Sequence, residues 1–166
     1  IEQGPVLHAA QKPCGIVDEI TGLFRWSCRL QGVANHAGTT PMEFRCDAFL
    51  GLAEFANEIP RILEENGSER SRATIGHVGL LPGAANTIPG QADFSLDVRD
   101  TDLERLRALE DAFRRALSAI ARRCHLMFAF EEISWIDPVA CDSSMIQLLR
   151  QTAEELSLAC ETMPSG

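Results

Sequence analysis

The amino-acid sequence predicts an α+β protein on three observations. Residues 23–31 and 91–99 alternate apolar and polar side chains with the two-residue period of a half-buried strand. Two longer stretches repeat apolar residues at threes and fours, as an amphipathic helix does. Together with two weaker strand patterns, these segments follow one another as β-α-β-β-α-β across about 22–135.

The first strand sets Phe24, Trp26, Cys28 and Leu30 against Arg25, Ser27, Arg29 and Gln31. A loop over 32–41 follows; Pro41 suits the first turn of the next helix and Thr40 is placed to cap it. Residues 42–65 carry a helical stripe of Phe44, Ala48, Leu52, Phe55 and Ile59. Pro60 is expected to kink or break this helix, and Asn66-Gly67 to stop it. Residues 72–80 read as a strand weakened by Gly76 and Gly79, ahead of a turn-rich stretch over 81–90. The strand 91–99 sets Ala92, Phe94, Leu96 and Val98 against Asp93, Ser95, Asp97 and Arg99. Thr101-Asp102-Leu103-Glu104 reads as a capping box, and the helix behind it aligns Leu106, Leu109, Phe113, Leu117 and Ile120. Residues 125–133 read as the last strand, with Leu126, Phe128 and Phe130 on one side.

This order is the split βαβ, ferredoxin-like arrangement, a four-stranded antiparallel sheet with two helices on one face. Right-handed crossovers press both helices onto the apolar strand sides and leave Arg25, Arg29, Asp97 and Arg99 on an uncovered polar face. Residues 136–166 hold a capped helix from Asp142 through Leu156 and an extended end. The expected organisation is a compact domain over 22–135 inserted between two pieces of a larger one, 1–21 and 136–166. The chain opens on Ile1-Glu2-Gln3 without an initiator Met or a leader, and reads as an internal segment of a longer protein.

Composition excludes several functions. The net charge is −9, from 15 Lys+Arg against 24 Asp+Glu, which argues against nucleic acid as a partner. No apolar run is long enough to cross a bilayer, and no basic helix suits a membrane surface. The cysteines at 14, 28, 46, 124, 141 and 160 make no CxxC and no disulfide signature, so a reducing cytoplasm is expected. Cys28 falls on the apolar side of its strand, where a buried thiol fits.

A catalytic zinc takes three protein ligands and an open position. His8, His36, His77 and His125 form neither HxH nor HExxH, so no metal site is expected within the chain. His36 lies in a Gly- and Thr-rich loop between strand and helix. There it either donates to a carbonyl oxygen as negative charge develops, or simply orders its loop. Arg99 has a planar fork that suits a carboxylate, or a surface ion pair with Asp97 or Asp100. Asn86 sits in a turn, where Asn often serves its own backbone. If Asn86 and Arg99 reach one loop rim, they make a carboxylate clamp. His77 and His125 fall within strand patterns and read as structural, and Gly76, Gly79 and Gly83 match no nucleotide fingerprint.

Four segments then become specific together. Ile1-Glu2-Gln3-Gly4-Pro5-Val6-Leu7 resembles an "HIEQGPxLE" strand end. Asn35-His36-Ala37-Gly38-Thr39-Thr40-Pro41-Met42, with Arg45 and Asp47-Ala48, is similar to "HAGTTPMxxRxDA". Asn86-Thr87-Ile88-Pro89-Gly90, running to Asp97-Val98-Arg99, is similar to "NxIPG…DxR", and Met163-Pro164-Ser165-Gly166 resembles the approach to "SGAGHDA". In this order and over essentially the whole chain, the segments resemble the N-carbamoyl-L-amino-acid hydrolase, allantoate amidohydrolase and β-ureidopropionase family of the zinc aminoacylase/carboxypeptidase superfamily.

The resemblance implies a parent enzyme that cleaves linear C–N bonds of ureido acids with a divalent metal, zinc or manganese, and no metal on this segment alone. It implies that 22–135 is a lid that forms a homodimer, with some lid residues serving the partner subunit's site. It implies a catalytic role for His36, polarising the scissile carbonyl. It implies substrate contacts for Gln3, Asn86 and Arg99, the last two holding the substrate carboxylate. His8 stands where the family has Glu, a departure that touches substrate detail. The alternatives are that the chain is a non-catalytic dimerisation and substrate-binding module, or that the parent is a peptidase or deacylase of the same superfamily.

Overall fold

The computed structural model describes residues 5–166. Gln3 lies outside the described residues. A short α1 (Pro5–Ala9) precedes β1 (Cys14–Ile20) and β2 (Gly22–Gln31). A 3-10 turn (Met42–Phe44) leads to α2 (Ala48–Asn66), β3 (Arg72–Thr74), β4 (Val78–Leu81), β5 (Gln91–Asp100) and α3 (Leu103–Arg123). The chain then runs through β6 (Met127–Ile136), β7 (Val139–Ala140), α4 (Ser143–Glu155) and β8 (Cys160–Ser165).

The strands form two sheets. One has the order β7-β1-β8, with β8 parallel to β1 and β7 antiparallel to it. The other has the order β3-β5-β2-β6, antiparallel throughout, with β4 also paired to β5. The class is α+β, as the pattern predicts.

Alternation fixes what the larger sheet buries. In the β2–β5 register, Phe24 faces Val98, Trp26 faces Leu96, Cys28 faces Phe94 and Leu30 faces Ala92. All eight are buried, under a layer formed by Leu52 and Phe55 of α2 and Leu106, Leu109, Phe113 and Leu117 of α3. The Phe113 ring lies 6.4 Å from that of Phe24 and 6.0 Å from that of Phe55, tying both helices and the sheet at one point. Burial of each such ring stabilises the fold by about 1.5–3 kcal/mol. The Cys28 thiol lies in this layer, and burial pushes it up to about 12.

Several local expectations change. The long helix begins at Ala48, not at 42, because the Asp47 carboxylate accepts from the Phe49 and Leu50 amides. Thr40 caps nothing; its hydroxyl donates to the His36 carbonyl. Pro60 does not end α2, which continues to Asn66. Pro60 lies on the exposed face, as does Ala56, whose carbonyl its missing N–H leaves free for water. The α3 cap is Asp102, one residue past Thr101, accepting from the Arg105 amide.

The strand expected over 72–80 is split into β3 and β4. Between them the His77 amide turns to the Ser95 hydroxyl at 3.1 Å. His77 and His125 therefore lie outside the strands. His125 follows α3 with φ 54°, a left-handed residue that turns the chain into β6. Among the described residues no helix is long and apolar enough to cross a membrane.

Replacing Pro60 with Ala restores an amide to an exposed helix position. Pro60→Ala is expected to raise stability by about 1–3 kcal/mol in urea unfolding. An unchanged or lower midpoint would show that α2 is already bent to suit the proline.

Candidate functional site

The β2–β5 ladder does not stop at its last strand pair, Gln31 with Gln91. Beyond it the Gly32 amide donates to Gly90 O at 2.8 Å, Ile88 to Asn35 O at 2.8 Å and Ala37 to Asn86 O at 2.9 Å. His36 and Thr87 form an isolated antiparallel bridge. The two motif loops are thus one hydrogen-bonded extension of the sheet. Gly90 permits the close approach, since a Cβ there would meet the Ala34 backbone nitrogen at 2.7 Å.

At the tip of this extension, the exposed His36 receives the Gly38 amide on Nδ1 at 3.1 Å. An Nδ1 that accepts leaves the proton of a neutral imidazole on Nε2. The ring therefore presents a donor away from its own loop. Arg45 closes the loop from behind, donating from Nε to Thr40 O at 3.0 Å and from a terminal nitrogen to Ala37 O at 2.6 Å. Arg45 and Asp47 are residues whose roles pattern reading missed, although both stand in the second motif segment. A basic residue a few places behind a Gly-Thr loop was the available signal for Arg45.

Arg99 lies elsewhere. It faces Leu23 across β2 and Arg72 across β3, near the β1 end of the sheet. From Gln91 to Arg99 the strand spans roughly 25 Å. Asn86 lies beyond Gln91, so Asn86 and Arg99 of one chain do not share a rim. The chain brings His36 and Asn86 together and sets Arg99 at the opposite end.

Arg99 is paired as one of the sequence alternatives has it. Its Nε donates to Asp97 at 2.8 Å, and Arg25 donates to the same carboxylate at 2.6 Å. Burial pushes the Asp97 carboxyl up, but the hydrogen bonds from Arg99 and Arg25 outweigh it and hold the pKa below its ordinary value. Asp97 in turn pushes the Arg99 guanidinium up. Further along the same polar face, Asp93 is held low, first by the hydrogen bond from Arg29 at 2.6 Å. Asp100, the other partner considered for Arg99, is buried and accepts from Ser71 and from Ser68 at 2.8 Å. Among the described residues, no three His, Cys, Asp or Glu side chains gather as a metal ion requires.

The peptidase dimerisation domain matches residues 19–125 of this chain. An N-carbamoyl-L-amino-acid amidohydrolase from a Pseudomonas species is 33% identical over 166 residues, all of this chain and 40% of that protein. An allantoate amidohydrolase from Bacillus subtilis is 32% identical over 100% of this chain and 40% of its own length. The crystal structure of a hydantoinase/carbamoylase family amidase from Burkholderia multivorans superposes with a TM-score of 0.96 at 34% identity, covering 100% of this chain and 40% of that one. The chain thus spans about 40% of the length of the curated relatives it matches.

Two outcomes follow from the geometry. Arg45→Ala should speed hydrogen exchange at the Ala37 and Gly38 amides at least about tenfold while core amides stay protected; unchanged loop protection would refute the clasp. Asp97 titrates lower in the folded chain than in the unfolded one. Its ionised form therefore stabilises the fold above pH about 4, and that contribution is lost as pH falls further. Asp97→Asn should flatten the acid limb of a pH–stability profile, whereas an unaltered limb would assign the acid sensitivity to other carboxylates.

Proposed function

The chain belongs to the peptidase dimerisation-domain family, and from that premise we propose that it is the lid and dimerisation part of an amidohydrolase cleaving linear C–N bonds of ureido acids. The observation that carries this reading is similarity to carbamoyl-amino-acid and allantoate amidohydrolases along the whole chain, not only the dimerisation segment. We read 22–135 as a ferredoxin-like lid and the flanking strands as parts of the hydrolase domain, acting in the cytoplasm.

In this reading His36 donates its Nε2 proton to the scissile carbonyl oxygen as negative charge develops there. Asn86, held beside it by the ladder, orients the substrate with Arg99. For Gln3 the proposal is a contact with the substrate. A divalent ion, zinc or manganese, would be held by residues of the longer protein and would supply an activated water when bound.

The separation within one chain gives the site its form. A small ureido acid cannot reach from His36 and Asn86 to Arg99 across roughly 25 Å of sheet. The substrate site is therefore composite, with His36 and Asn86 of one subunit facing Arg99 of the other. An edge suited to such pairing is available: β6 ends the sheet order and exposes Met127, Ile133 and Ile136 by 68%, 55% and 52%.

The test uses the longer protein that carries this chain, loaded with zinc or manganese, on N-carbamoyl-L-amino acids, ureidopropionate and allantoate. Turnover of at least one is expected, with Arg99→Ala mainly raising KM and His36→Ala mainly lowering kcat. Turnover of peptides or acylated amino acids alone would favour a peptidase or deacylase. Mixing the two impaired variants, at a substrate concentration where each alone turns over little, then tests the composite site. Random re-pairing should restore roughly a quarter of wild-type activity, because each heterodimer regains one intact site. No recovery in verified heterodimers would put His36 and Arg99 in one chain's site.

A further inference from the structure

Cys14 opens β1 and Cys160 opens β8, and these parallel strands pair with the two cysteines in register. Neighbouring strands lie about 4.8 Å apart, within the Cα separation that a disulfide spans. The two Sγ atoms stand 2.7 Å apart with nothing between them, and both residues are partly exposed. No spacing rule could find this pair, because 146 residues separate its members.

We propose that Cys14 and Cys160 form a reversible disulfide that staples β1 to β8. The loop it closes contains the whole of 22–135. β1 runs directly into β2 through Thr21, whose amide donates to Ser165 O at 2.9 Å in β8. The bond therefore ties the opposite end of the β1–β8 pair from this junction, and it is independent of the activity proposed above.

The chemistry is thiol–disulfide exchange with a low-molecular-weight disulfide such as glutathione disulfide. One cysteine thiolate attacks it, forms a mixed disulfide and expels one glutathione thiolate. The second cysteine thiolate attacks the protein sulfur of that mixed disulfide and expels the other. The two cysteines lose two electrons and two protons, and glutathione disulfide is reduced to two glutathione molecules. The hydrogen bond with Cys14, and then desolvation, push the Cys160 thiol above its ordinary value, while Lys12 pulls it down. Exchange is therefore faster in mildly alkaline buffer.

The full-length protein is reduced, equilibrated in glutathione buffers of rising oxidised fraction, quenched with iodoacetamide and digested for mass spectrometry. The expected result is a peptide pair linking Cys14 to Cys160, two hydrogens lighter than the separate peptides and lost on treatment with dithiothreitol. Oxidised wild type should also melt several degrees above reduced wild type. Cys14→Ser and Cys160→Ser, checked for folding by circular dichroism, should lose both the link and the melting shift. Alkylation of both cysteines in pure glutathione disulfide, glutathione adducts without a link, or a link to another cysteine would each overturn the proposal. These readouts come from wild type, so a variant that fails to fold does not obscure them.

Discussion

Ten residues of β2 pair with ten of β5, from Gly22 with Asp100 to Gln31 with Gln91. Because side chains alternate, a slip of one residue would turn Arg25, Asp93, Asp97 and Arg99 into the core and Phe24, Trp26, Phe94 and Leu96 out of it. Burying those charges without water costs far more than any local contact could return. The register is thereby fixed, and with it the packing of α2 and α3 on a single face. The same ladder, carried past its regular end, holds the His36 and Asn86 loops together. One pairing therefore decides which side chains are core, which lie on the polar face and which end of the sheet each motif residue occupies.

The polar face carries ion pairs along its length. Asp97 lies between Arg25 and Arg99, and Asp93 accepts from Arg29 and from Gln91 at 2.7 Å. Such ion pairs add little stability where they are solvated. Their effect is on geometry: Arg99 is held by Asp97 at its Nε side, which limits the directions its fork can take. An arginine presented in this way loses less freedom when it meets a second carboxylate than one waving in solvent.

Much of this architecture was legible in the sequence wherever a side-chain period was uninterrupted. The strands at 23–31 and 91–99, the stripe of α3 and the helix opening at Asp142 all appear close to where the pattern sets them. The errors lie where a nearby polar side chain competes with the backbone. Asp47 and Asp102 displaced Thr40 and Thr101 as caps, because the residue that reaches the free amides is chosen by chain direction, which the pattern does not record. The split of β3 from β4 depends on Ser95, on a strand some twenty residues later. Of the candidate site, the loop identities were legible and the pairing of His36 with Asn86 follows from the ladder. The distance from Asn86 to Arg99 was legible too, because an unbroken strand over 91–99 already puts roughly 25 Å between its ends. The Cys14–Cys160 contact was hidden, because it exists only once β8 has come back alongside β1, at the far end from where the chain leaves the smaller sheet.

The larger sheet is anchored to the smaller one by more than the chain itself. β7, the first strand after the larger sheet, pairs with the end of β1, Ile20 with Val139, so the chain leaves and re-enters the smaller sheet at one place. Arg70 bridges from the segment after α2 to Asp18 at 3.2 Å and to Glu19, both on β1. The larger sheet thus meets the smaller one at the Arg99 end, and the His36 end lies at the other end of the ladder. In an antiparallel edge-to-edge dimer, a two-fold axis reverses the sheet direction between copies. The His36 end of one copy then lies on the same side of the assembly as the anchored Arg99 end of the other. In the composite site proposed above, the strand length that parts the two residues within a chain is what sets the loop tip of one copy on the same side as the arginine of the other.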